Sequence, residues 1–272
     1  MIAIKPESLT IRLSLLIFAF WITFFALILI NGYALNLVGL PANAYVILIL
    51  LLAEIIFIAR GLRANHLRVQ VDPLELAGFL LVVAGTWLYF VYASLPTLLP
   101  PTYSGDAANH LAFTDTIFSS EQIFSNYRGG PSLTAATLAH LIGWLPIRII
   151  HPLASSWIAR TAGGVYGLAC DLLSRKPFNK TVALLAVAWL YVSPDYFAGQ
   201  LIGANYFLTQ VAAQLFIIAF VWFLVEYFES RDSLWLLGMA LCLIAISVSF
   251  QLWIALPPAL FLLAMLNEWR SG

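Results

Sequence analysis

Charge is what this chain has least of. Only 10% of its 272 residues are Asp, Glu, Lys or Arg, against about 25% in soluble domains. Hydrophobic residues make up 62%, and the mean hydropathy is +0.93. That composition excludes an ordinary soluble globular domain. Thirteen basic side chains balance thirteen acidic ones, and no basic stripe or tail is present, so nucleic acid is not an expected partner. Cysteine is nearly absent. Cys170 and Cys242 both fall inside apolar runs, which argues for small core residues and against a disulfide framework or a thiolate metal site. No fixed-period repeat, low-complexity tract or long linker divides the chain, so 1–272 is expected to form a single transmembrane domain.

What is present is a series of apolar runs. A spanning helix needs about 20 apolar residues. Runs of suitable character cover 10–30, 44–59, 74–95, 153–173, 181–192, 206–228, 234–250 and 253–266. The first is too long for a signal-peptide core and is followed by no clear cleavage site, so it is expected to remain as a helix. Asp72 followed by Pro73 has the form of a helix start, with a capping carboxylate and a proline at the first helical position. The expected fold class is an all-α polytopic membrane protein with about eight transmembrane helices.

Orientation follows from where the basic residues fall. With the N-terminus cytoplasmic, the cytoplasmic ends collect Lys5, Arg12, Arg60, Arg63, Arg68, Arg175, Lys176, Lys180, Arg231 and Arg270. Only Arg128, Arg148 and Arg160 are left over. An even number of helices then puts both termini inside. The long connection 96–152 lies outside, between the third and fourth spans.

That connection holds three of the four histidines (His110, His140 and His151) together with Asp106, Asp115, Glu121, Arg128 and Arg148. Residues 106–119 have the pattern of an outer-face juxtamembrane helix, with Asp106, Asn109, His110 and Phe113 spaced along one face. The stretch 133–144 is too short to span and is expected to lie along the outer surface with its apolar side in lipid.

Asp106 and His110, four residues apart, can orient one another for general-base chemistry or share a divalent metal ion. Either His140 or His151 can complete such a site, with His140 the candidate third ligand, since two fall short of the three or four protein ligands of a zinc site. The bland alternative is a polar helix face at the water boundary. Arg128-Gly129-Gly130-Pro131-Ser132 puts free N–H groups beside a guanidinium, which suits a phosphate, or is simply a Gly-Pro turn. Arg148 is a second outer cation or a headgroup anchor. Glu54 and Arg160 fall inside spans, where ionisable groups usually face the bundle interior with a partner. They can pair with each other, or Arg160 can reach outward. Ala159, Gly163 and Gly167 recur every fourth residue, a close-packing pattern.

The sequence Gly105-Asp106-Ala-Ala-Asn-His110 after a span, then a Tyr127-x-Gly-Gly-Pro131 turn, a short helix ending at Gly143, a basic residue and a further span resembles the N-terminal half of GT-C-type glycosyltransferases. Protein O-mannosyltransferases and lipid A aminoarabinose transferases are examples. The resemblance covers residues 74–267 as the GT-C-like module with outer loop 96–152, and leaves 1–73 as two extra N-terminal helices. It implies a polyprenyl-phosphate-linked sugar as donor, Asp106 as the catalytic or metal-associated acid with His110 beside it, and Arg128, Arg148, Tyr127 and Asn205 near substrate. Asn205 stands where several members carry an acid, and the turn has Gly-Gly-Pro where Pro-Pro is common. Members of the family continue through more helices than this sequence has. The resemblance therefore also allows a partner subunit supplying a missing C-terminal half, or a non-catalytic subunit of a larger complex.

Overall fold

A computed structural model describes residues 10–64, 67–93, 98–99, 105–123, 129–174, 176–192 and 206–271. Among these are ten α-helices: α1 (Leu13–Leu37), α2 (Ala44–Ala64), α3 (Pro73–Ala93), α4 (Asp106–Ser120), α5 (Gly130–Ile142), α6 (Pro146–Leu172), α7 (Asn179–Val192), α8 (Leu208–Ser230), α9 (Ser233–Ser249) and α10 (Leu256–Ser271). Two short strands, β1 (Thr10–Arg12) and β2 (Arg68–Gln70), pair in parallel. The fold is that of an all-α membrane protein. Five helices (α1, α2, α3, α8 and the segment holding α10) are long and apolar enough to cross a bilayer.

The helix starts follow local chemistry. Asp72 Oδ1 accepts from the N–H groups of Leu74 at 3.0 Å and Glu75 at 3.1 Å, so the expected cap forms. Asn43 does the same for α2. Asp232 caps α9 through Leu234 N–H. Each satisfies donors that a helix start would otherwise leave open.

One end of the bundle gathers charge. Arg12 Nε donates to Asp171 Oδ1 at 2.7 Å, and the same guanidinium pairs with Glu75. Ser14 Oγ donates to the other Glu75 oxygen at 2.5 Å. Lys180 pairs with Asp72 at 2.8 Å, and Arg231 with Glu268. The carboxyl of Asp72 is held below its usual range, chiefly by the hydrogen bond from Lys180. These contacts tie β1 and the starts of α1, α3 and α7 to the end of α6. The sequence showed the basic residues of this end but not their acidic partners.

The helix around which the others pack is α6, and it is also the most polar of the long ones. It does not qualify as a span by apolar composition, yet Trp157, Ile158, Ala159, Ala162 and Tyr166 are almost wholly buried. A helix enclosed by protein does not need a lipid-soluble surface. It needs to fit its neighbours. A Cβ on Gly163 would lie 2.5 Å from Val83 of α3, and one on Gly164 2.6 Å from Phe18 of α1. The small residues of α6 are therefore packing devices, as their spacing suggests. Both cysteines are buried and free, as expected of core residues.

Helix α5 differs from expectation. The stretch 133–144 was to lie on the membrane surface, yet Gly130 through Thr137 and Ala139 are all buried. The helix inserts among α1, α2, α4, α6, α8 and α9. Its composition explains this: Gly, Ser, Thr and Ala let neighbouring backbones come close. A Cβ on Gly130 would stand 2.9 Å from the Val248 carbonyl oxygen at the end of α9. The helix ends at Gly143, whose φ of +74° is a left-handed cap.

Candidate functional site

The end of the bundle opposite the charged one carries α4. Its C-terminus and the residues just after it are fastened to the last turn of α1 and the loop that follows. Ala42 N–H donates to the Glu121 carbonyl oxygen at 2.6 Å, Asn43 Nδ2 donates to Glu121 Oε1 at 2.8 Å, and Ile123 N–H donates to Asn36 Oδ1 at 3.2 Å. Glu121 itself takes a left-handed φ of +54° and closes α4 by donating to Ile117. These bonds hold α4 as a fixed platform.

Helix α4 turns Ala107, Thr114 and Ile117 inward, so the face that carries Asp106, Asn109, His110 and Phe113 points away from the core. Asn109 is exposed and Phe113 is 56% exposed. Asp106 and His110 are each partly buried, one turn apart, between the inward and outward faces. At a membrane boundary an exposed Phe has lipid to meet.

His140 is not positioned as a third ligand to this pair. Its Nε2 bonds the Phe118 carbonyl at 2.7 Å, and its ring stacks on Phe118 with centroids 4.0 Å apart. Phe118 lies two turns beyond His110, about 12 Å along the helix at 1.5 Å per residue. His140 pins α5 to the far end of α4. Among the described residues no group of three or more His, Cys, Asp or Glu could hold a metal.

His151 is also engaged. Its Nε2 bonds the Phe90 carbonyl of α3 at 3.0 Å, which makes Nε2 the protonated nitrogen. The Tyr206 hydroxyl lies 3.4 Å from its Nδ1. Tyr206 is fully buried and adopts a left-handed φ of +55°. This His–Tyr pair, joining α3, α6 and the entry to α8, was not legible in sequence because its members are 55 residues apart.

Arg148 is exposed on the first turns of α6, at the same end of the bundle as α4. Tyr127, Arg128 and Asn205 lie outside the described residues. The Gly129–Gly130 turn is buried, with the start of α5 directed at the end of α9, so Gly130 is not an open phosphate cradle.

Glu54 and Arg160, the two charges expected inside spans, do not pair with each other. Glu54 accepts from Asn31 Nδ2 at 2.8 Å. Arg160 donates to the Ser156 carbonyl at 2.9 Å, and its guanidinium carbon sits 4.1 Å from the ring centroid of Trp21 and 5.3 Å from that of Phe25. Its Nε is buried with no acceptor among the described residues. A charge at membrane depth costs about 2.5–3.5 kcal/mol on insertion scales, and a desolvated cation–π contact returns about 2 kcal/mol. The aromatic contact offsets most of that cost without neutralising the charge.

Comparison of the chain with family models, curated proteins and solved structures finds no match in any of the three.

Proposed function

We propose that the chain is a GT-C-like membrane glycosyltransferase, or part of one, that takes a sugar from a polyprenyl-phosphate donor at the non-cytoplasmic face. The supporting observation is the placement of the Asp106–His110 turn on α4, which is fastened to the end of the bundle away from the charge cluster. The positive-inside tendency assigns the charged end to the cytoplasm. In this scheme α6, α7 and α9 also cross, giving eight spans with both termini inside.

Asp106 takes the proton from the acceptor hydroxyl as that oxygen bonds the sugar, and the polyprenyl phosphate leaves with the electrons of the broken bond. His110 orients the carboxylate. A divalent ion at this pair would draw its other ligands from donor phosphate and water, as hard cations commonly do. Arg148 is the cation assigned to the lipid phosphate, and the resemblance gives Arg128, Tyr127 and Asn205, outside the described residues, the remaining substrate roles.

Replacing Asp106 with Ala should abolish sugar transfer from a polyprenyl-phosphate donor in reconstituted vesicles while the protein stays inserted. Retained transfer rules out the assignment. A non-catalytic subunit of a larger membrane complex is the second reading, favoured by α10, whose spanning window is only 6% buried. Purification of a stable lone monomer in mild detergent would count against it.

A further inference from the structure

Arg160 has an outlet that the proposed chemistry does not use. It sits on α6 between two sets of contacts. Trp157, Gly164 and Gly167 meet Phe25, Phe18 and Leu15 of α1, while Gly163 and Tyr166 meet α3. Arg160 projects at the seam between these sets, with Trp21 as one wall and partial exposure. The walls supply no counter-charge. α1 contains no Asp or Glu, and the only acid of α3 is Glu75, which is held by Arg12 and Ser14 at the charged end.

Depth determines which anion can reach it. Along α6, Arg160 lies 11 residues from Asp171 and 12 from Arg148. At 1.5 Å per residue those are roughly 16 Å and 18 Å. A hydrocarbon core of about 30 Å then places Arg160 near its midplane, with the core edges about 15 Å away on either side and the lipid phosphates beyond them. A phosphate can reach it only by thinning the bilayer, whereas a carboxylate halfway along a spanning helix is already at that depth. Buried cations in membranes are typically matched by such partners.

We propose that the seam between α1 and α3 is a docking site for a transmembrane helix of a partner protein carrying an Asp or Glu at mid-span, with Arg160 as its charge partner and Trp21 as a side wall. Docking requires that α6 cross the bilayer, and it is independent of whether Asp106 is catalytic.

The full chain in phosphatidylcholine vesicles can be titrated, by energy transfer, with synthetic leucine-alanine helices. One has Glu at its centre, one has Glu two turns off centre, and one has none. The central-Glu helix should associate at least tenfold more tightly than the other two. Arg160→Leu should remove that preference and Arg160→Lys should retain part of it, which covers the case in which the leucine variant folds poorly. Equal association of all three helices, or a preference that survives in Arg160→Leu, overturns the proposal. So does full competition by phosphatidylglycerol, which would assign Arg160 to lipid phosphate. So would self-association lost in both Arg160→Leu and Glu54→Gln, which would assign it to a second copy. Labels at Arg148→Cys and Leu172→Cys should reach opposite faces. If they reach one face, the span fails along with the docking; opposite faces with no peptide preference reject the docking alone.

Discussion

Replacing Arg12 with Leu should destabilise the bundle more than most single changes outside its core. Glu75 is 2% exposed, and its two oxygens are met by Arg12 and Ser14. Without the guanidinium, a buried carboxylate keeps only one hydroxyl donor. Removing one member of a buried ion pair costs about 3–5 kcal/mol. The other partner, Asp171, has 22% of its side-chain surface open, so it regains hydration and adds little. The remaining Ser14 bond argues for about 3 kcal/mol, a large share of a typical total of about 5–15 kcal/mol. Replacing both Arg12 and Glu75 with Leu should recover much of the loss, because apolar replacement of a buried pair is often neutral. Detergent-exchange unfolding followed by tryptophan fluorescence measures both variants. A loss below about 1 kcal/mol in Arg12→Leu, or a double variant no more stable than the single one, would refute the assignment of this cluster as a structural tie.

The other clasp at the charged end predicts a pH dependence. The Asp72 carboxyl is lowered, mainly by the Lys180 hydrogen bond, so its contribution is present above its unfolded value of about 3.9 and is lost as pH falls through the folded value. Unfolding curves between neutral pH and pH 3 should show an acid loss that is reduced in Asp72→Asn; identical curves would contradict it. Glycines offer a contrast in packing. Gly164→Val drives a side chain into Phe18 and Ile218 and should cost at least the 1–3 kcal/mol typical of overpacking. Gly85→Ala meets nothing within 4 Å and should be neutral or stabilising by up to about 1 kcal/mol. Thermal unfolding of the two variants tests the difference.

The helices were readable because lipid and protein interiors both demand long apolar stretches, and the eight runs reappear as α1–α3 and α6–α10. Apolar content does not say what surrounds a helix, however. Leu133 and Ala136 of α5 are as compatible with lipid as with protein, and the clue to insertion was the run of small residues from Gly130 to Ala139. The Arg12–Glu75–Asp171 cluster joins positions 63 and 159 residues apart, so no local pattern revealed it. That Asp106 and His110 sit one turn apart on α4 was legible because helical geometry fixes the spacing of residues four apart. His140 was misassigned because residue type carries no information about which carbonyl a side chain will meet.

The side of the membrane on which α4 lies is tested most directly by labelling. With Cys170 and Cys242, both buried, replaced by Ala, a cysteine at position 106 or at position 176 can be treated with an impermeant maleimide applied from outside intact cells. Position 106 should label and position 176 should label only after the membrane is opened. Labelling of 176 from outside, with 106 protected until lysis, would place the Asp106–His110 turn in the cytoplasm and contradict the proposed outer-face chemistry.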